Sequence, residues 1–131
     1  MSCTETYATL RVFSKQLMAQ EICNSLELNP STVLEKYPDS KYKHEREDAR
    51  FFYTTKGIVD SKENLIHLMK ILDVLEGKNK AIDYLANQEC EIDIFCYFET
   101  DGQGGPTITS EIMKRLSLFN IDVSWDIYCV E

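Results

Sequence analysis

Glu91-Ile92-Asp93-Ile94-Phe95-Cys96-Tyr97-Phe98 decides the fold. Successive side chains of an extended chain point to opposite sides. Ile92, Ile94, Cys96 and Phe98 therefore share one side, and Glu91, Asp93, Phe95 and Tyr97 share the other. This is the period of a half-buried strand. The same alternation recurs over residues 7–13, where Ala8, Leu10 and Val12 oppose Tyr7, Thr9, Arg11 and Phe13. It recurs again over residues 121–129, with Ile121, Val123, Trp125, Ile127 and Cys129 against Asp122, Ser124, Asp126 and Tyr128. Its register predicts Trp125 as a core anchor. Residues 49–55 are rich in aromatic and β-branched side chains and read as a further strand.

Helical spacing fills the intervals. Met18, Ala19, Ile22, Cys23 and Leu26 form one stripe, which should end near Leu28-Asn29-Pro30 because proline cannot continue a helix. Asp60 with Glu63 reads as a capping box before the stripe Leu65, Leu68, Met69, Leu72 and Leu75, stopped by Gly77. A shorter helix spans about 80–87. Beyond the turn Gly102-Gln103-Gly104-Gly105-Pro106, Thr109 is the expected N-cap of a last helix, with Ile112, Met113, Leu116 and Phe119 as its buried stripe. Residues 31–48 have no period and are expected to be a mobile loop.

The order is β-α-β, helices, β-α-β. Ile22, Cys23, Leu26 and Leu28 match Ile112, Met113, Leu116 and Leu118 at a constant offset of 90, which suggests an internal duplication. The expected fold is α+β: a duplicated β-α-β unit, as in a ferredoxin-like sandwich, with an additional central helical segment. A single domain is expected over 1–131, with helices on one face of the sheet and the other face partly open.

A chain of 131 residues, 44% hydrophobic and 27% charged, can bury a sizeable core. No apolar run approaches the ~18 residues of a membrane span. Met1-Ser2-Cys3-Thr4-Glu5 has neither the basic nor the apolar region of a signal peptide. A cytoplasmic location is expected. The cysteines, Cys3, Cys23, Cys90, Cys96 and Cys129, are odd in number and irregularly spaced, so they are expected to be reduced. Cys23, Cys96 and Cys129 fall on apolar stripes and are expected in the core. Cys90 and Cys96 stand too far apart for a zinc knuckle.

Catalytic side chains are scarce. His44 lies in the loop, and His67, near Glu63 and Lys70, is expected on the outer side of its helix. Nothing assembles a base, an orienting group and an oxyanion donor, so an enzyme is not expected, nor any metal or cofactor. The glycine turn before a helix suggests a phosphate cradle, but Glu99 and Asp101 oppose an anion there and the P-loop lysine is missing. A permissive strand-to-helix turn is the simpler reading.

The charge distribution is more informative. The formal net charge is −8. Residues 89–131 hold 9 acids against Lys114 and Arg115, a balance of −7. Such a surface repels nucleic acid and anionic membranes and attracts cations. The outward strand residues interleave carboxylates with rings: Glu91, Asp93, Phe95, Tyr97, Asp122, Asp126 and Tyr128, beside Tyr7, Arg11 and Phe13. Aromatic side chains supply packing area and acids supply steering, so these seven are the expected contacts to a basic protein partner. The alternative is an ordinary solvated face, or one covered by residues 31–60.

Several of these stretches carry a resemblance. The strand Tyr7-Ala8-Thr9-Leu10-Arg11-Val12-Phe13, then Ile22…Leu26…Leu28-Asn29-Pro30-Ser31, an aromatic strand, the Gly104-Gly105 turn and the ending Ile121-Asp122-Val123…Asp126-Ile127-Tyr128 resemble the bacterial domain of unknown function 4279 family. The family tends to have a glycine-containing basic turn after the Pro-Ser/Thr pair and a tryptophan in the second strand. This chain has Lys36-Tyr37-Pro38 and Phe51-Phe52-Tyr53 there. The resemblance implies no activity. Size, localised acidity and scarcity of catalytic groups together point to an immunity or inhibitor protein that neutralises a basic toxin such as a nuclease. A small-ligand sensor is the alternative.

Overall fold

The central strand β1 (Cys3–Ser14) has antiparallel neighbours on both sides. One is β3 (Ala49–Thr54) and the other β4 (Glu91–Thr100). The computed structural model describes residues 3–36 and 47–130. A short β2 (Thr32–Leu34) extends the sheet beyond β3, and β5 (Asp122–Cys129) runs parallel to β4 at the far edge. The sheet order is β2-β3-β1-β4-β5. A parallel neighbour needs a crossover, and the helix α4 (Ser110–Phe119) supplies it between β4 and β5.

The protein is thus α+β, with a mixed sheet of five strands. The two β-α-β stretches pair differently: β1 and β3 are antiparallel neighbours, β4 and β5 parallel ones. In the split arrangement of a ferredoxin-like sandwich, another strand separates the two strands of each unit. Here both pairs are adjacent. A side-chain period reveals the faces of a strand but neither its direction nor its neighbours, so the matching helix stripes gave no access to this difference.

Register explains the core. Val12 lies between Phe51 and Ile92, Leu10 between Tyr53 and Ile94, and Cys96 beside Trp125. Ala8, Leu10, Val12, Phe51, Ile94 and Cys96 are fully buried. They pack in one cluster with inward residues of α1 (Ala19–Leu26), α2 (Asn64–Leu75), α3 (Asn79–Asn87) and α4. Among the described residues, the four helices therefore all cover one face and leave the other open. Among the described residues, no helix is long and apolar enough to cross a membrane.

The helix ends depart from expectation in detail. α1 stops at Leu26 with Glu27 in the left-handed conformation at φ 53°, ahead of Pro30. α2 starts at Asn64 with Glu63 itself as N-cap, so Asp60 and Glu63 form no capping box. Thr109 does cap α4, accepting from the Ile112 amide at 3.2 Å. Met18, Met69 and Met113 lie at the surface, because each stands at the margin of its apolar stripe.

His67 is a clear correction. It is buried, not outward, because it shares the inner side of α2 with Asn64 and Ile71 at spacings of three and four. Its Nε2 donates to the Ser61 carbonyl at 2.8 Å, and its Nδ1 pairs with the Thr55 hydroxyl at 2.6 Å. Both ring nitrogens are satisfied, a structural role. Cys129 is a second correction. It is exposed, because the helical layer leaves the end of β5 uncovered, and Cys23 on α1 is only half-buried. Trp125 is half-buried against the core, its indole N–H donating to Asn64 Oδ1 at 2.9 Å. Within 31–48, Thr32–Leu34 form a strand instead of a loop, and residues 37–46, including His44 and the Tyr37-Pro38 turn, lie outside the described residues.

Candidate functional site

The open face of the sheet is built from alternate residues of four strands. Across it, Tyr7 opposes Tyr97, which opposes Asp126. Thr9, Phe95 and Ser124 form the next row, then Arg11, Asp93 and Asp122. Phe13 sits opposite Glu91, and Glu99 opposite Tyr128. Glu91, Asp93, Phe95, Tyr97, Asp122, Asp126 and Tyr128 thus share one face. A rigid sheet holds their spacing without help from loops.

One end of this face is a tyrosine stack. The rings of Tyr7 and Tyr97 lie 5.1 Å apart at 16°, and Tyr97 and Tyr128 lie 5.4 Å apart at 35°. Offset stacking of this kind adds to the packing of the rings. Carboxylates fix the hydroxyls. Tyr97 donates to Glu99 at 2.6 Å, Tyr128 donates to Asp126 at 2.8 Å, and Thr4 donates to the other Glu99 oxygen at 2.8 Å. The Glu99 contact pushes the Tyr97 hydroxyl up to about 12, and the Asp126 contact raises that of Tyr128. In return, Tyr97 holds the Glu99 carboxyl below its usual range. In a spectrophotometric titration Tyr97 should ionise after the ordinary tyrosines. Glu99→Gln should bring it back toward 10, the usual tyrosine value; an unchanged titration would mean that the hydrogen bond does not persist in solution.

The other end is cationic and aromatic. Arg11 grips Asp93 through two bonds, Nε to Oδ1 at 2.8 Å and a terminal nitrogen to Oδ2 at 2.6 Å. Its guanidinium also lies 4.8 Å from the Phe95 ring centre and 5.5 Å from that of Phe13. Arg50 lies 5.7 Å from the Phe13 ring centre, while Phe52 meets Phe13 edge-on at 5.8 Å. Asp93 is therefore engaged within the chain. Among the described residues, the carboxylates of Glu91 and Asp122 make no ion pair.

Sequence reasoning missed Arg50, Phe52, Lys56 and Glu99. Arg50, Phe52 and Thr54 alternate with the inward Ala49, Phe51 and Tyr53. Aromatic rings on both sides of β3 hide that period. Lys56 reaches the face from beyond the strand, 3.7 Å from Glu5 and 5.2 Å from the Tyr7 ring centre.

A second feature lies at the end of the sheet. A cavity of about 280 Å³ opens between the start of α2 and the glycine turn, lined by Cys3, Lys62, Asn64, Phe98, Thr100 and residues 103–107. Burial raises the thiols of Cys3, Cys23 and Cys90, and pushes Cys96 up to about 12, away from the reactive thiolate. Among the described residues, no three His, Cys, Asp or Glu side chains are grouped to hold a metal ion.

Comparison with curated proteins and with solved structures gives no significant match. A family model does match, over residues 4–130, nearly the whole chain. The alternating strands, the Gly104-Gly105 turn and the parallel last strand all fall within that span, and the chain belongs to the DUF4279 family, a domain of unknown function.

Proposed function

We propose that this chain is a non-catalytic binding protein whose open sheet face takes up a basic protein. The Tyr7–Tyr97–Tyr128 stack, with Glu99 and Asp126 on its hydroxyls, carries the reading. Tyrosine rings held in place lose little freedom on docking, and the surrounding carboxylates select a cationic surface. An enzyme acting on nucleic acid has such a surface at its own substrate site. The proposed class is therefore an immunity or inhibitor protein acting in the cytoplasm, which occludes a basic toxin such as a nuclease.

The experiment is affinity capture on the immobilised protein, beside the variant Tyr97→Ala/Tyr128→Ala. The reading expects a basic protein held by the parent and lost with the variant. A protein retained equally by both would place the interface elsewhere. The cavity beside Lys62 supports the second reading, a small-ligand sensor. Recovery of a bound metabolite without any protein would favour it.

A further inference from the structure

The two edges of the sheet are finished differently. β2 is only three residues long, and a short edge strand gives a foreign strand little to pair with. β5 is eight residues long, in unbroken register with β4, and contains no lysine, proline or glycine. Among the described residues, no strand pairs with its outer side. The Val130 amide donates to the Thr100 carbonyl at 2.8 Å, so even-numbered residues of β5 direct their backbone groups at β4. Val123, Trp125 and Ile127 direct theirs outward, by the alternation of a strand.

Apolar side chains accompany this open edge. Ile127 is 50% exposed and Met113 49% exposed. Arg115 bonds Asp73 of α2 at 2.9 Å, and Met113 stands about 200° round α4 from it, on the flank away from α2.

We infer that the β5 edge pairs antiparallel with β5 of a second copy of this chain, centred on Trp125, to form a two-fold dimer with one continuous sheet. The sequence of β5 selects both the occupant and the register. Pairing across a two-fold axis brings residues of the same face opposite each other, so the axis must fall on a residue. Centred on Ser124, it sets Asp122 against the partner's Asp126. Centred on Asp126, it sets that carboxylate against its own copy. Centring on Val123 or on Ile127 avoids such a clash but pairs only three or five residues of β5, whereas centring on Trp125 pairs seven, Asp122 to Tyr128, and meets no carboxylate with a carboxylate. Asp122 faces the partner's Tyr128, Ser124 faces the partner's Asp126, and Val123 faces the partner's Ile127. The outward backbone groups of Val123, Trp125 and Ile127 then form hydrogen-bonded pairs. Like charges directly opposite each other destabilise a strand pair, whereas the Ser124 hydroxyl opposite the partner's Asp126 supplies a donor. The β5 edge shares Asp122, Asp126 and Tyr128 with the proposed partner face, but its test does not rest on that reading, because self-association is measured on the pure chain.

The test is sedimentation equilibrium of the full chain and three variants across protein concentration. The parent should dimerise. Ser124→Asp introduces a carboxylate facing the partner's Asp126 on both sides of the axis, and should raise the dissociation constant about tenfold or more. Ser124→Asp/Asp126→Ser exchanges the two groups, restores the pairing of carboxylate with hydroxyl and should recover the dimer. Ile127→Lys charges the edge at an exposed position and should give monomer. Ser124, Asp126 and Ile127 are all exposed, so circular dichroism should show each variant folded. A monomeric parent, a dimer indifferent to Ser124→Asp, or a double variant no better than the single would each overturn the inference.

Discussion

Phe51→Ala is expected to lower the stability of the fold by about 3–5 kcal/mol, the range for a large aromatic removed from a closed core. Phe51 is fully buried and pairs with Val12 on β1 and with Val33 on β2. Its ring has no route to solvent, so truncation leaves a cavity as well as losing the transfer energy. Trp125→Ala should cost less, about 2 kcal/mol, since a half-buried ring gives up less contact area. Part of that loss is the Asn64 carbonyl oxygen, which accepts from the indole and would be left in a buried position. Urea unfolding of the two variants against the parent measures both. If Trp125→Ala proved the more damaging, the core would be centred on β5, contrary to the packing described above.

The contrast between these residues shows what the sequence makes legible. Alternation identified β1, β4 and β5 and assigned their faces, because in each the apolar and polar residues separate cleanly. β3 hid its faces, since Phe51 and Phe52 are equally apolar but point to opposite sides. Trp125 looked central because pattern reveals the side of a strand and not how far the helices extend over it. β5 is an edge strand, and its cover fails by Ile127 and Cys129. The polarity of His67 points outward, whereas its position on α2 places it inside, where Thr55 and Ser61 satisfy it. Strand order and direction depend on contacts between segments far apart in the chain, and no local period carries them.

The same limit applies to the open face. Its seven proposed contact residues were found together, yet their electrostatics depended on unforeseen neighbours. Arg11 lies opposite Asp93 in the register and neutralises much of its charge. Asp93→Lys would therefore set a cation against Arg11 and disturb the sheet, so it is a poor probe of binding. Glu91 and Asp122 are exposed and make no ion pair among the described residues, which makes them clean probes.

Glu91→Lys/Asp122→Lys should slow association with a basic partner about tenfold or more at low salt, because long-range attraction acts chiefly on encounter. The variant should unfold within about 0.5 kcal/mol of the parent, as for surface changes that break no contact. Tyr97→Ala should act chiefly on dissociation, since a packed ring is lost only after docking.

The most direct measurement is the association rate of the captured basic partner with the parent and with Glu91→Lys/Asp122→Lys, at low and at physiological ionic strength. The parent rate should fall steeply as salt rises, and the variant rate should be lower and fall less steeply, because Glu99 and Asp126 remain on the face and screening removes only what the carboxylates supply. Equal rates for the two proteins at both ionic strengths would contradict it and remove the open face as the binding surface.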